Sequence, residues 1–273
     1  MPTSLTEGRL ETHVGAIQMF RGGSGDPLVY LHSAGGESTN AALEDLADDY
    51  DVIVPVLPGY GESEGIGDID DTEDMAFHLL DVWDRLGLAQ PVVMGLSLGA
   101  WMGLELATRY PERVGPMILV NPVGLYLDDA PIKEMFGRSP AELAEDMIAD
   151  PENPVAQMMR AMAEWTGDVG AQMEIPLELV LPLYKSLSAT AKIGWDPYLH
   201  NPKLRGRLHR VGSPVLIVRG ARDSFVPEAH AKTYAAELPD ARLEIIEDAA
   251  HLLPLEKPAE LAAAARTFLA SLA

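Results

Sequence analysis

Cysteine is absent from this chain of 273 residues, which excludes a disulfide framework, thiolate catalysis and any zinc site built on Cys ligands. Aromatic residues are few, at 6 %. Basic residues are scarce too: 20 Lys and Arg stand against 42 Asp and Glu, a formal net charge of −22. So negative a surface repels phosphate backbones and anionic headgroups, so neither a nucleic acid nor a membrane is expected as partner. No apolar run approaches the ~18 residues of a membrane span. The first thirty residues carry Glu7, Glu11 and Asp26 without the apolar core and small-residue cleavage site of a signal peptide, so the expected location is cytoplasmic. Fixed-period repeats and low-complexity tracts are also lacking. The 47 % of hydrophobic residues is ordinary for a globular protein, here expected as a monomer or small homo-oligomer.

What the chain does contain is a rhythm of short apolar runs, turns and amphipathic stretches. Leu28–His32 ends at Ser33-Ala34-Gly35-Gly36 and is followed by a helical pattern over Glu37–Ala47. Asp51–Val56 ends at Pro58-Gly59-Tyr60-Gly61, and a helix follows with Thr72 as its expected N-cap and Gly87 as its stop. Pro91–Met94 leads through Gly95 to a helix over Leu98–Tyr110, and Pro116–Val120 ends at Asn121-Pro122. The alternation resumes with a strand over Pro214–Arg219, a helix over about Pro227–Leu238, a strand over Leu243–Ile246 and a closing helix over Pro258–Leu272. Continuously apolar strands separated by helices predict a mostly parallel α/β sheet covered on both faces, with chemistry at the carboxyl ends of its strands. The glycine-rich Arg21–Gly25 segment lacks the Lys-Ser/Thr ending of a phosphate loop and reads as a hairpin turn.

Between Pro122 and about Arg210 the strands vanish and prolines punctuate helical pieces; Ser139-Pro140 with Glu142 spells a capped helix start. Half of the twelve methionines fall between Met135 and Met173, with Trp165, Leu179, Leu183, Tyr184, Trp195 and Tyr198 nearby. This segment reads as a helical insertion whose apolar side chains mostly form its own core; helical spacing does not select which of Met159, Met162, Trp165, Trp195 or Tyr198 faces a pocket.

Gly95-Leu96-Ser97-Leu98-Gly99 lies where a strand meets a helix, the context a G-x-S-x-G nucleophile elbow requires. A side chain two residues to either side of Ser97 would strike the neighbouring strand or helix, and the two glycines remove it. A serine needs a base and an orienting acid to become nucleophilic. Of the seven histidines, His251 alone follows a strand near the end of the chain, while His13, His78, His200, His209 and His230 fall in connections, helices or the insertion. Asp223, after the preceding strand, supplies the acid; its competing role is to cap the helix near Pro227. The expected oxyanion donors are the backbone N–H of Leu98 and, most simply, of Ala34, with His32 holding that loop. The paired acidic residues (Asp48-Asp49, Asp70-Asp71, Asp128-Asp129) read as solvated faces, so no metal or cofactor is expected.

Together the His32–Gly36 loop, Leu57-Pro58-Gly59-Tyr60-Gly61-Glu62-Ser63, the Ser97 elbow, Gly220-Ala221-Arg222-Asp223 and His251 followed by Pro254, Glu256, Lys257 and Pro258 resemble the α/β-hydrolase fold superfamily over essentially the whole chain. The resemblance implies an eight-stranded, mostly parallel sheet with helices on both faces. It also implies a core of residues 1–122 and 211–273 and a helical cap over 123–210, inserted after the sixth strand. Ser97, Asp223 and His251 stand in the family's order. Family members usually have glycine where Ser33 stands; Ser33 adds bulk beside the oxyanion loop and could lend the pocket a hydroxyl. Subfamilies with aspartate at the elbow do not fit Ser97, and Asn121 after the sixth strand offers no rival acid. The function this implies is hydrolysis of apolar carboxylic esters; the alternatives are a C–C bond hydrolase or lactonase using the same triad, or a receptor-like binder with little turnover.

Overall fold

A computed structural model describes residues 3–167 and 177–272. Its centre is an eight-stranded sheet: β1 (Thr6–Thr12), β2 (Gly15–Gly22), β3 (Pro27–Leu31), β4 (Asp51–Pro55), β5 (Val92–Leu96), β6 (Met117–Val120), β7 (Val215–Gly220) and β8 (Ala241–Ile246). The spatial order is β1-β2-β4-β3-β5-β6-β7-β8. β1 and β2 form an antiparallel hairpin, β2 runs antiparallel to β4, and the pairings from β4 to β8 are all parallel. The parallel strands read as unbroken apolar runs because both faces are covered. Along β3, Leu28 and Tyr30 enter one apolar cluster with helices α1 (Ala41–Leu46) and α9 (Pro258–Ala270). Val29 and Leu31 enter the other, with α2 (Thr72–Leu86), α3 (Leu98–Arg109) and α7 (Glu228–Glu237). The period of two in the pleat therefore divides each strand between two cores.

Between β6 and β7 lie α4 (Pro140–Met147), α5 (Pro154–Gly167) and α6 (Leu177–Gly194). Helix α4 starts with the expected capping box: Ser139 accepts from Glu142 N–H, and the Glu142 carboxylate accepts from Ser139 N–H at 2.9 Å. A short α8 (Leu253–Glu256) precedes α9. Met173 lies outside the described residues, as do the side chains of Trp165 and Leu179.

Three local expectations change. The cap of α2 is Asp71, not Thr72: Asp71 is extended (φ −151°) and accepts from Glu73 N–H and Asp74 N–H, which makes Thr72 the first helical residue. The helix expected from Glu37 starts only at Ala41, capped by Asn40, because Glu37 is engaged in the preceding loop. The Arg21–Gly25 turn is not a hairpin. Strand β2 pairs with β4 rather than β3, so this segment passes across the end of β4. There Gly23 (φ +86°) leaves no room for a Cβ beside the Ala47 and Tyr50 carbonyls. The hairpin is instead at Thr12–Gly15.

Helix α2 buries a histidine beneath that hairpin. His78 is fully buried and neither ring nitrogen has a partner. Burial, aided by the neighbouring His13 and opposed by Asp81, lowers its pKa from 6.5 to about 4. The unfolded chain therefore takes up this proton first, and stability falls as pH drops from 6.5 towards 4, by about 3 kcal/mol for this group. Urea melts at pH 7 and pH 4 are expected to differ by about 3 kcal/mol less in His78→Leu than in the wild type; an unchanged difference would remove His78 as the cause.

Candidate functional site

The candidate residues converge on the carboxyl ends of the parallel strands. β5 ends at Leu96 and α3 begins at Leu98, leaving Ser97 alone to make the reversal at φ +54°, ψ −108°. For a non-glycine residue this conformation costs on the order of 1–3 kcal/mol and persists only where the surroundings enforce it. They do so here. Ser97 N–H donates to Val120 O of β6 at 2.8 Å, and Ser97 O accepts from Trp101 N–H at 3.1 Å. A Cβ on Gly95 would come within 2.5 Å of Ala100 N, and one on Gly99 within 2.7 Å of His32 O. Both glycines are therefore required by close approach, as the elbow spacing predicts. Ser97 is buried at 4 % exposure.

After β7 the chain turns through Asp223, whose side chain is almost wholly buried. One carboxylate oxygen, Oδ1, accepts from Phe225 N–H and Val226 N–H, both at 3.0 Å. The other, Oδ2, lies 2.8 Å from Nδ1 of His251. Asp223 does not cap α7, which starts after Pro227 without a side-chain cap. Arg219, itself buried, holds the acid loop from within by donating to the carbonyls of Gly220, Ala221 and Asp223. His251 follows β8, and its ring meets Phe225 edge to face at 4.9 Å between centroids. Because a carboxylate only accepts, Nδ1 carries the proton and Nε2 of the neutral ring is left as the acceptor. The structure thus joins His251 to Asp223. Among the described residues it records no hydrogen bond between Ser97 Oγ and His251.

The loop after β3 carries Ala34 and is tightly held. His32 is fully buried; its Nε2 accepts from Leu57 N–H at 3.0 Å and its Nδ1 lies 2.8 Å from Ser33 O. This pair of contacts requires a neutral ring protonated on Nδ1, and burial lowers its pKa accordingly. Ser33 does not offer its hydroxyl to a pocket. It donates to Glu37 Oε2 at 2.5 Å and accepts from Gly35 N–H at 3.0 Å, while Ser33 N–H and the Tyr30 hydroxyl donate to Glu37 Oε1. Extra bulk at position 33 is thus absorbed into the loop's own bonding. Thr190 of α6 meets the Tyr60 hydroxyl at 2.6 Å and donates to Ala34 O at 3.4 Å. No protein acceptor takes the N–H of Ala34 or of Leu98 among the described residues, so both remain free to donate.

In the linear sequence Asn121 is legible only as an uncharged residue after an apolar run. The structure gives it a larger part. At φ +42°, a conformation Asn tolerates, it follows β6 and its amide ties the last residue of β7 to the loop after β8. Oδ1 accepts from Gly220 N–H at 3.1 Å, and Nδ2 donates to Ala250 O at 3.0 Å and His251 O at 2.9 Å. Its position at a strand's carboxyl end was the available signal; its partners, about a hundred residues away, were not.

Of the insertion's side chains, Trp195 is exposed and Met159 packs against the main core. Tyr198 donates to Lys133 O at 2.6 Å and lines a cavity of about 100 Å³ with Tyr126, His200 and His230. No described helix is long and apolar enough to cross a membrane. No group of three or more His, Asp or Glu suited to a metal ion occurs among the described residues.

The chain is 27 % identical over 246 residues to a pimeloyl-[acyl-carrier protein] methyl ester esterase of Aromatoleum aromaticum, covering 86 % of this chain and 94 % of that one. It is 26 % identical over 265 residues to a 2-hydroxymuconate semialdehyde hydrolase of Pseudomonas sp. strain CF600, covering 91 % and 88 %. It also matches, at 29 % identity over 242 residues, a dihydrolipoyllysine-residue acetyltransferase component of the acetoin cleaving system of Cupriavidus necator. That match takes in 87 % of this chain but only 62 % of the relative's length. Among solved structures, naproxen esterase (carboxylesterase NP) from Bacillus subtilis superposes with a TM-score of 0.73 at 23 % identity, covering 98 % of this chain and 92 % of that one. The family model for the α/β-hydrolase fold matches residues 26–258, and with the sheet order, the elbow and these relatives it establishes that the chain belongs to the α/β-hydrolase fold family.

Proposed function

We propose that the protein is a serine hydrolase that cleaves carboxylic esters of small to medium apolar substrates through Ser97, His251 and Asp223. The observation that carries this reading is the 2.8 Å contact between His251 Nδ1 and Asp223 Oδ2; the strained turn that holds Ser97 at the carboxyl end of β5 supports it. His251 Nε2 takes the Ser97 proton as Oγ attacks the ester carbonyl. The carbonyl oxygen becomes an oxyanion, held by Ala34 N–H and Leu98 N–H. The imidazolium returns the proton to the departing alkoxide, and the alcohol leaves an acyl-enzyme. Water, deprotonated by His251, then releases the acid and restores Ser97. No metal or cofactor enters the scheme. Residues 123–210 act as the cap over a core of 1–122 and 211–273, with α6 bearing on the oxyanion loop through Thr190.

Similarity to the Pseudomonas semialdehyde hydrolase supports a second reading, in which the same triad cleaves a C–C bond. Turnover of p-nitrophenyl acetate and butyrate, set against a dienoate and a lactone, separates the two. Ester turnover is expected to dominate, and a fluorophosphonate probe is expected to label the enzyme stoichiometrically at Ser97. Absence of both ester turnover and labelling would sink the proposal.

A further inference from the structure

His251 is useful as a base only if its backbone is held still, and that backbone is pinned from three directions. Beneath it, the Asn121 amide takes the carbonyls of Ala250 and His251. On its C-terminal side, Leu252 N–H donates to Met147 O at 3.0 Å. On its N-terminal side, Ala250 N–H donates to Glu256 Oε2 at 2.7 Å. The other oxygen of Glu256 leaves the core altogether: Oε1 accepts from Ala149 N–H at 2.7 Å and from Asp150 N–H at 3.4 Å. Met147 closes α4 and residues 148–150 follow it, within the segment inserted between β6 and β7. The same segment reaches the acid loop, since Asp146 takes the Ser224 hydroxyl at 2.9 Å beside Asp223. Lys133 and Arg138 fix that carboxylate as well. A carboxylate accepting several N–H groups makes charge-assisted bonds, roughly twice as strong as neutral ones.

We propose that Glu256 is a positioning residue that strings the His251 loop to the inserted segment, so that the base keeps its orientation towards Asp223 only while this strap is intact. The proposal rests on the triad reading above, and α8 explains how the sequence builds the device. Leu253 and Pro254 open a single helical turn, which returns the Glu256 carboxylate to the N–H of Ala250 and leaves its outer oxygen for residues more than a hundred positions away. Glu256 touches no reacting atom in this scheme. Its effect passes through the angle and distance of the imidazole, and a misplacement of about 1 Å in a reacting group can cost on the order of 10²-fold in rate.

The test uses the full chain with Glu256→Ala, Glu256→Gln and, as a control at an exposed site on the next helix, Glu260→Gln. Glu256→Ala is expected to lower kcat on p-nitrophenyl butyrate by about 10- to 100-fold while KM stays within about twofold. The low-field proton resonance of the His251 Nδ1–H bound to Asp223 is expected to broaden or vanish in the folded variant. Glu256→Gln keeps one acceptor oxygen and is expected to lose about threefold to tenfold, with the resonance retained. Glu260→Gln should match the wild type. If Glu256→Ala does not fold, the Gln variant carries the test alone. A lower melting temperature with kcat and the resonance unchanged, in whichever variants fold, would make Glu256 merely structural and overturn the proposal. Should the wild type hydrolyse no ester, the functional reading fails, and the resonance still decides whether Glu256 positions His251.

Discussion

Ser97→Ala is expected to lower ester turnover by about 10⁴- to 10⁶-fold, leaving a residue of catalysis from the oxyanion donors and binding alone. Two features of the structure make the prediction sharp. Ser97 is the sole residue between β5 and α3, so no neighbouring hydroxyl can take its place without shifting the turn. The alanine retains the Cβ that the turn already accommodates, and the backbone bonds to Val120 and Trp101 do not involve the hydroxyl. The variant should therefore fold with a melting temperature within a few degrees of the wild type. Initial rates with p-nitrophenyl butyrate, measured beside circular dichroism, check both halves. Rates within tenfold of the wild type would rule out Ser97 as nucleophile.

The second large effect concerns Asp223. Replacement by Asn is nearly isosteric, yet the local bonding dictates which way the amide must face. Oδ1 accepts from Phe225 N–H and Val226 N–H, so the amide oxygen takes that place and the NH₂ group is turned towards His251 Nδ1. A donor facing Nδ1 forces that nitrogen to accept, which moves the ring proton to Nε2. In that tautomer His251 cannot take the serine proton. Turnover in Asp223→Asn is expected to fall by about 10⁴-fold with KM little changed, and fluorophosphonate labelling should slow in parallel. Stability should change little, because the backbone donors keep their acceptor. A variant retaining more than a tenth of the wild-type kcat would mean that Asp223 does not set the tautomer.

Both predictions concern residues readable in the linear chain; other residues of the site are not readable there, because their partners are distant in sequence. Ser97, Asp223 and His251 each stand at the end of an apolar run, where a parallel sheet exposes its loops. Residues with that placement reveal themselves singly. Glu37, Asn121, Arg219 and Glu256 act through partners that only the fold supplies. Glu37 looks like an early helix residue until Ser33 and Tyr30 are seen to claim its carboxylate. Arg219 looks like the charged end of a strand, yet it is 6 % exposed and spends its guanidinium on the carbonyls of the acid loop. The misread turn at Arg21–Gly25 has the same origin. Glycines announce a reversal, but whether the next strand pairs alongside or passes over a neighbour depends on β4, which the chain has not yet made.

Local periodicity, turn chemistry and a glycine-framed serine made legible the α/β class, a strand-free helical stretch between Pro122 and about Arg210, and the three side chains on which the proposed hydrolytic reading depends; the count of eight strands came from the family resemblance. Each of those features is written within a few residues, in patterns set by strand pleat, helix pitch and steric exclusion. Tertiary structure alone decided that His251 meets Asp223 at hydrogen-bond distance, that Asn121 binds the end of β7 to the loop after β8, and that a carboxylate at position 256 ties the His251 loop to residues 149 and 150. Hydrogen bonds between groups a hundred residues apart leave no periodic trace, because each is fixed by how the packed cores bring distant loops together rather than by the local chain.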